Sequence, residues 1–273
     1  MSNPTLKRGS QHRVDIERVQ LALNDLGFNV DLDGHFGPGL EKALCELQEA
    51  EGLTPDGVVG DKTWEILADK SPHACPIELD TSGLGGFRGD LHWLHQWEGH
   101  AGKPYWPKGK SGVTLDPGLD LGHADPMLVE KVCGPVLSEA GMTALRSVLG
   151  KKGEDAQKVL DETPDLASIR ILRTTAARLL PQVAQPYWSQ LCKSFEALAS
   201  PSTPASVQTA MLSLGYNRGT ANRDLEALKE PIGRGDWQTV ADLIGNMQQD
   251  HKLEGIRKRR RAEGDLIRAA LAS

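Results

Sequence analysis

The sequence lacks long apolar runs, a surplus of positive charge and paired cysteines, and each absence excludes a class of protein. No stretch approaches the roughly 20 apolar residues that a membrane-spanning helix needs. The formal net charge is −6, which gives no basis for nucleic-acid binding. The N-terminus, MSNPTLKRGSQHRVD, has no apolar segment of the kind found in secretory signals. We therefore expect a globular protein that is made in the cytoplasm without a signal peptide.

Cysteine and histidine spacing gives no metal or disulfide signature. Four cysteines stand far apart, and none forms a C-x-x-C pair: Cys45, Cys75, Cys133 and Cys192. In a chain without a signal peptide we expect them to be reduced. Cys75 follows His73 by two residues, but its setting is typical of a linker rather than of a Cys/His nucleophile. His92 and His95 form H-x-x-H without a fuller zinc-ligand set. No metal or cofactor is predicted.

The acidic charge is concentrated at the front of the chain and indicates a separate unit there. Residues 1–70 hold 7 Lys and Arg against 13 Asp and Glu, whereas the rest holds 24 of each. The Pro-, Ser- and Gly-containing segment SPHACPIELDTSGLGGF interrupts the helical periodicity. We predict a first domain at 1–70, a linker at 71–87 and a second domain at 88–273.

A short internal repeat predicts the fold of the first domain. DGHFGPGLEKAL begins at Asp33 and DGVVGDKTWEIL at Asp56, and each reads as an Asp-Gly turn followed by a helix. An earlier helix ends near Gly27. The sequence therefore predicts a three-helix unit whose core is formed by Leu23, Phe28, Phe36, Leu44, Leu47, Leu53, Val59, Trp64 and Leu67.

This stretch resembles the three-helix peptidoglycan-binding domain. The matching features include Val19-Gln20, Leu26-Gly27-Phe28, Leu47-Gln48, Thr63-Trp64 and both Asp-Gly turns, and the match covers nearly all of residues 13–69. The resemblance implies binding to bacterial peptidoglycan.

The second part of the chain is predicted to be mainly helical. Helical patterns recur near 138–149, 168–184, 186–199, 204–215, 219–229, 235–249 and 253–271. Only the region from Tyr105 to Asp120 favours a β-hairpin or small sheet. We predict an α+β class, predominantly α-helical, with a core of its own.

One carboxylate sits at the end of an apolar helical stripe. In LHWLHQWEG, Leu91, Leu94 and Glu98 share one helical face, and Gly99 ends the helix. A buried carboxylate needs partners or is kept protonated, and a protonated glutamate can act as a general acid. The pattern also fits a partly exposed glutamate at a frayed helix end, or one in a structural salt bridge. Asp120 likewise fits a turn or a helix cap.

The segment around these acids resembles the active site of lysozyme-like muramidases of the phage-lysozyme and pesticin type. WEG, SGVTL and DLG match a helix ending in Glu-Gly and a hairpin carrying a threonine and an aspartate. The resemblance implies that Glu98, Thr114 and Asp120 are catalytic. This chain has Asp116 where the pattern more often has glycine, so a second carboxylate competes for the role assigned to Asp120.

Two later stretches agree with the same family. MLSLGYNRG resembles the helix end of phage lysozymes, and GIRKRRRAEGDLI resembles their C-terminal helix. The basic C-terminal helix fits either arginine packing with salt bridges or electrostatic contact with an anionic cell envelope. Tyr105, Trp106 and Asn217 are candidates for lining the sugar groove, although Trp106 fits a core position equally well.

The resemblance implies hydrolysis of the β-1,4 bond between N-acetylmuramic acid and N-acetylglucosamine. Glu98 would be the general acid of an inverting reaction, and Asp120 with Thr114 would position a water molecule. The alternatives are a non-catalytic wall-binding protein, a lytic transglycosylase, and a wall amidase or peptidase. The arrangement resembles a modular phage endolysin, which implies a monomer that reaches the periplasm and cell wall by holin-mediated release. A secreted antibacterial effector could share the catalytic domain.

Overall fold

The computed structural model describes residues 3–272, which form a predominantly helical chain with one small antiparallel sheet. The predicted α+β class is therefore confirmed. Strands β1 (Thr114–Leu115) and β2 (Leu119–Asp120) make up the sheet. The ends of the two predicted domains, residues 1–2 and 273, lie outside the described residues. No helix between residues 3 and 272 combines the length and the apolar character that crossing a membrane requires.

The helices follow one another along the chain with short connections. They are α1 (Arg13–Asp25), α2 (Pro38–Ala50), α3 (Asp61–Lys70), α4 (Leu91–Gln96), α5 (Pro126–Cys133), α6 (Glu139–Val148), α7 (Glu154–Glu162), α8 (Pro164–Ser168), α9 (Arg173–Ser194), α10 (Ala205–Arg218), α11 (Lys229–Arg234), α12 (Trp237–Asn246) and α13 (Glu254–Leu271). Short 3-10 segments lie at Pro72–Ala74, Glu196–Ala199 and Arg223–Leu228.

Two hydrophobic cores are present among the described residues. The first extends from Leu6 to Ala74 and the second from Leu84 to Ile267. Most of the predicted residues of the first core are buried: Leu23, Phe36, Leu44, Leu47, Val59, Trp64 and Leu67. Phe28 packs against this core from a partly buried position, and Leu53 is also partly exposed.

Each Asp-Gly turn of the repeat is held by a buried glutamine from the preceding helix. Gln20 Oε1 accepts hydrogen bonds from the backbone N–H groups of Asp33, at 3.2 Å, and Gly34, at 2.9 Å. Gln48 Oε1 accepts one from Gly57, also at 2.9 Å. Both glycines have φ of 67°, a conformation that glycine adopts without steric cost. The same arrangement of glutamine and glycine therefore holds each of the two turns.

The N-terminal residues pack onto this unit in a way that the sequence pattern did not predict. Leu6 pairs with Val59 in an isolated antiparallel bridge, with backbone hydrogen bonds of 3.1 and 2.8 Å. The Trp64 indole N–H donates to the Pro4 carbonyl at 2.8 Å. These contacts extend the first domain toward the start of the chain.

The helix pattern of the second part differs from the prediction in two respects. Helices α5, α7 and α8 were not predicted, and α9 is one continuous helix of 22 residues where a break before Pro186 was expected. Pro181 and Pro186 both lie inside α9. Burial on both sides of these prolines overrides their local cost: Leu180, Val183, Ala184 and Trp188 are at most 1% exposed.

Residues 71–87, predicted as a linker, contain no α-helix; Ala74 lies in the first core, and the last residues of the segment pack onto the second. Leu84 and Phe87 are buried in it. The Gly85 carbonyl accepts a hydrogen bond from the Trp188 indole at 2.9 Å, and the Gly86 carbonyl accepts one from Gln208 at 2.9 Å. The last part of this segment is therefore fixed to α9 and α10.

A buried glutamate of the first domain caps a helix of the second. Glu17, on α1, is 1% exposed. Its carboxylate accepts hydrogen bonds from the backbone N–H groups of Arg173, at 3.1 Å, and Thr174, at 2.8 Å. These are the first residues of α9, where N–H groups have no partner within the helix and negative charge is favoured. Glu17 thereby joins the two domains.

Candidate active site

Glu98 lies just beyond α4 rather than at its last position. The Asp90 side chain caps the start of α4 by accepting a hydrogen bond from Trp93 N–H at 3.0 Å. The helix ends at Gln96, so the predicted helix end was two residues too late. Leu91 and Leu94 are buried as the periodicity indicated. Glu98 follows in a turn, where its N–H donates to the His95 carbonyl at 3.1 Å.

The Glu98 carboxylate is paired with Arg259 of α13. Nη2 of Arg259 lies 2.8 Å from Oε1 of Glu98, and the two side chains are 5% and 17% exposed. Oε1 is buried and forms no hydrogen bond of acceptable geometry, so this contact is an ion pair without a well-directed N–H. Arg259 therefore engages Oε1 rather than Oε2 of this carboxylate.

Arg259 is itself held inside the second domain. Its Nε donates to the Ser213 hydroxyl at 3.0 Å and lies 3.4 Å from Oε1 of Glu263. Arg260 Nη2 donates to the same Glu263 oxygen at 2.6 Å. Burial raises the pKa of Glu263, while Arg260, Ser213 and Arg259 lower it. Arg259 and Arg260 of the basic helix therefore form buried salt bridges, as the packing and salt-bridge interpretation of that helix predicts.

The hairpin places Thr114 opposite Asp120. These two residues pair in the antiparallel register of β1 and β2. Tyr105 adds a bridge on the other side of β1: its N–H donates to the Thr114 carbonyl at 3.1 Å, and Thr114 N–H donates back at 2.7 Å. Thr114 is 5% exposed. Its hydroxyl donates to the Gly112 carbonyl at 3.5 Å.

Backbone amides fix one oxygen of Asp120. Oδ1 accepts hydrogen bonds from Gly112 N–H and Gly122 N–H, both at 2.9 Å. Gly112 has to be glycine here, because a Cβ would lie 2.3 Å from the Gly122 nitrogen. Oδ2 lies 3.1 Å from Nδ1 of His123, whose side chain is 52% exposed. The backbone thus holds Oδ1, while Oδ2 contacts a half-exposed histidine at the surface.

Asp116 has a different environment from Asp120. It is 3% exposed, and its Oδ2 accepts a hydrogen bond from Gly102 N–H at 2.7 Å and lies 3.1 Å from Nδ1 of His100. Burial raises the pKa of Asp116, an effect that the Gly102 and Ala101 amides and the charge of Arg173 oppose. Burial lowers the pKa of His100 to about 4, and the charges of Arg173 and His95 contribute to this shift. Asp116 therefore ties the loop after Glu98 to the hairpin.

Glu98 and Asp120 act on the same two tyrosines. Burial raises the pKa of Tyr105, and the charges of Asp116, Glu98 and Asp120 raise it further. Burial also raises the pKa of Tyr187, followed by the charges of Asp120 and Glu98. The charges of both carboxylates therefore reach Tyr105 and Tyr187, and a shared catalytic role of Glu98 and Asp120 stays a prediction.

The other predicted groove residues are placed less uniformly. Tyr105 is partly exposed and belongs to this region, whereas Trp106 packs against the second core and donates its indole N–H to Ser111 at 3.0 Å. Asn217 is exposed near the end of α10. Tyr216, beside it, is buried and donates to the Pro117 carbonyl.

Four residues of the site were missed by the sequence prediction: Arg259, His100, Tyr187 and Tyr216. The spacing of Arg259 and Glu263 at i and i+4 is a helical ion-pair signal, but it did not indicate a contact with Glu98. Within residues 3–272, no group of three His, Cys, Asp or Glu side chains is placed to hold a metal ion.

Comparison with known proteins gives two family matches. Residues 12–67 match the family described as "Putative peptidoglycan binding domain". Residues 90–238 match the family described as "Bacterial toxin homologue of phage lysozyme, C-term". These matches confirm both resemblances found in the sequence.

Individual relatives resemble the chain over limited segments. It is 40% identical over 68 residues to the N-acetylmuramoyl-L-alanine amidase CwlM of Mycobacterium tuberculosis, covering 22% of this chain and 17% of that protein. It is 49% identical over 37 residues to an uncharacterized protein in the bpoA1 3' region of Kitasatospora aureofaciens, covering 14% of this chain and 31% of that protein. The chain thus spans less than a third of either relative.

A solved structure is also similar. The crystal structure of Burkholderia AP3 phage endolysin is 19% identical, with a TM-score of 0.22, over 97% of this chain and 100% of that chain. The lysozyme-homologue match covers more than half of the 273 residues and includes Glu98, Thr114 and Asp120. The chain therefore belongs to the family of bacterial toxin homologues of phage lysozyme.

Proposed function

We propose that this protein is a peptidoglycan hydrolase that cleaves the β-1,4 bond between N-acetylmuramic acid and N-acetylglucosamine. The observation that carries the proposal is a pair of positioned carboxylates inside the lysozyme-homologue match: Glu98, paired with Arg259, and Asp120, held by two backbone amides on the strand opposite Thr114. Glycoside hydrolysis needs two such groups, one on either side of the scissile bond. Family membership supports the same chemistry.

The two domains divide the work in this proposal. Residues 1–70 bind the wall, residues 71–87 connect the domains, and residues 88–273 cut the glycan. Three features support this division: the two family matches, the two separate hydrophobic cores, and the short segment that runs between them. The cell wall is accordingly the place of action.

Glu98 is the general acid. Arg259 holds Oε1 inside the protein, so Oε2 is the atom that delivers a proton to the glycosidic oxygen. The ion pair also fixes the rotation of the carboxyl group, because Arg259 is anchored in turn by Ser213. Because the carboxyl group is already oriented, it needs little reorganisation when the bond is cleaved.

Asp120 is the base that orients the attacking water. Two backbone amides hold Oδ1, which leaves Oδ2 to accept a proton from water once His123 moves aside. The Thr114 hydroxyl lies on the paired strand and can give a second contact to that water. Attack from the face opposite the leaving group inverts the anomeric centre and forms no glycosyl-enzyme.

Product analysis on purified sacculi tests this assignment. We expect release of muropeptides that end in reducing N-acetylmuramic acid, detected by mass spectrometry. Products ending in 1,6-anhydro-muramic acid would instead identify a lytic transglycosylase that uses Glu98 alone. New amino termini of stem peptides would identify an amidase or peptidase, the activity named for the mycobacterial relative. Binding without any soluble product would leave a wall-binding protein.

A further inference from the structure

A large cleft separates the first domain from α4. Its volume is about 1460 Å³, and it is lined by Arg13 and Asp15 of α1 on one side and by Trp93, Trp97 and Glu98 on the other. Sites for single small molecules usually occupy about 300–1,000 Å³. The cleft therefore has room for a segment of polymer, and it reaches the residue to which we assign proton donation. Thr114 and Asp120 are not among the residues that line it.

The wall of the cleft formed by α4 and the turn up to Glu98 carries two tryptophans that belong to neither hydrophobic core. The rings of Trp93 and Trp97 are 5.8 Å apart at 48° to each other. Both are partly exposed, and neither packs with the core residues of either domain. Two indoles left at a surface in this way present an apolar face with an N–H at its edge. The flat face of a sugar ring, which carries C–H groups, can pack on such a surface.

The same cleft contains an arginine with free donors. Within residues 3–272, the guanidinium of Arg173 forms no hydrogen bond or ion pair, although the charges of Glu17, Asp116 and Asp33 act on it and its backbone N–H is bound by Glu17. The side chain lies against the first domain, since a Cβ added at Gly34 would lie 2.9 Å from its Nε. Its planar set of N–H groups suits acetamido, hydroxyl and carboxylate oxygens.

We propose that this interdomain cleft binds a segment of the peptidoglycan glycan strand, with sugar rings packed on Trp93 and Trp97 and oxygens bound by Arg173. The proposal rests on the proposed function for the identity of the strand. It adds a binding site that neither family match assigns. The cleft is continuous with Glu98 on one wall, and its opposite wall is the peptidoglycan-binding domain. A strand lying there contacts both domains at once.

Binding by a non-cleaving full-length protein tests the cleft apart from catalysis. The variant Glu98→Gln would be titrated with soluble, uncrosslinked glycan strands in a calorimeter. Adding Trp93→Ala and Trp97→Ala to that variant should weaken binding about tenfold, because each lost aromatic contact removes part of the binding free energy. Arg173→Gln should also weaken it. Trp93→Phe with Trp97→Phe should restore most of the affinity.

Trp237→Ala is the matched control, because this half-buried tryptophan of α12 lies outside the cleft. It should leave the affinity unchanged. Unchanged affinity in a folded Trp93→Ala/Trp97→Ala variant would overturn the proposal, as would an equal loss in the Trp237→Ala control. Cleavage by the natural sequence is measured separately. A protein that binds through the cleft but releases no reducing ends refutes the hydrolase assignment and leaves the cleft site standing.

Discussion

Nδ1 of His100 lies 3.1 Å from Oδ2 of Asp116, and this contact joins the loop that follows Glu98 to the hairpin that carries Asp120. The sequence raised the question of why an aspartate stands where the family pattern has glycine. The geometry answers it: the carboxylate accepts a hydrogen bond from Gly102 N–H, contacts His100 and is almost completely buried. Asp116 thus belongs to the scaffold of the site.

Asp116→Asn should leave most of the lytic activity, whereas Asp116→Ala should not. The amide oxygen of asparagine can still accept the hydrogen bond from Gly102 N–H and contact His100, whereas alanine can do neither. We expect Asp116→Ala to lower the free energy of unfolding by about 1–3 kcal/mol through unsatisfied buried donors. Denaturant unfolding and turbidity assays on permeabilised cells measure both effects. An inactive but fully stable Asp116→Asn protein would show that Asp116 is the reactive aspartate.

Asp120→Asn should abolish lysis while the fold survives. The asparagine oxygen can still accept the two amide hydrogen bonds, but the side chain can no longer take a proton from water. The expected loss is about 10²–10⁴ in kcat, the range for a missing general base. Release of reducing ends from purified peptidoglycan measures kcat. Asp125→Asn, an exposed helix cap outside the site, is the control and should keep full activity.

Glu98→Gln should also remove about 10²–10⁴ of the rate, because the amide cannot deliver a proton to the leaving oxygen. The side chain keeps its size, and Arg259 keeps its contacts with Ser213 and Glu263. Thermal unfolding should therefore show a folded protein. Clearing of purified sacculi by this variant at the natural rate would refute the role of Glu98. Glu196→Gln, at an exposed position, serves as the matched change.

Glu17→Ala should loosen the two domains from each other. It removes the only cap that the structure shows for the first N–H groups of α9 between residues 3 and 272. We expect a loss of about 2 kcal/mol in the free energy of unfolding. Protease cleavage within residues 71–87 should become faster. Glu65→Ala, on the exposed side of α3, should change neither quantity. An unaffected Glu17→Ala protein would mean that this contact does not hold the domains.

Stability should fall as the pH drops from about 6.5 to about 4. Burial lowers the pKa of both His95 and His100 from 6.5 to about 4 in the folded protein. In this range the unfolded chain binds protons that the folded chain does not, so acid favours unfolding. The raised pKa of Asp116 acts in the opposite direction. Denaturant unfolding at several pH values measures the slope. It should be shallower in a His95→Gln/His100→Gln protein, and an identical slope there would contradict this origin.

Local patterns predicted much of the fold, because helical periodicity and Asp-Gly turns are set by neighbours in sequence. They located the three-helix unit, the burial of Leu91 and Leu94, and the hairpin that carries Thr114 and Asp120. The pairing of Glu98 with Arg259 depends on how α13 packs in space, which no local pattern encodes. The continuity of α9 through Pro186 has the same cause, since distant side chains stabilise a helix that its own sequence disfavours.

The cap that Glu17 places on α9 has a consequence for where the wall is cut. Two domains joined by a flexible linker would let the catalytic site reach any glycosidic bond within the length of that linker. Two domains joined through the buried carboxylate of Glu17 keep the first domain at a fixed distance from Glu98. Under the proposed function, the position of the sugar bound by the first domain then determines which glycosidic bond, a fixed number of rings away, Glu98 can cleave.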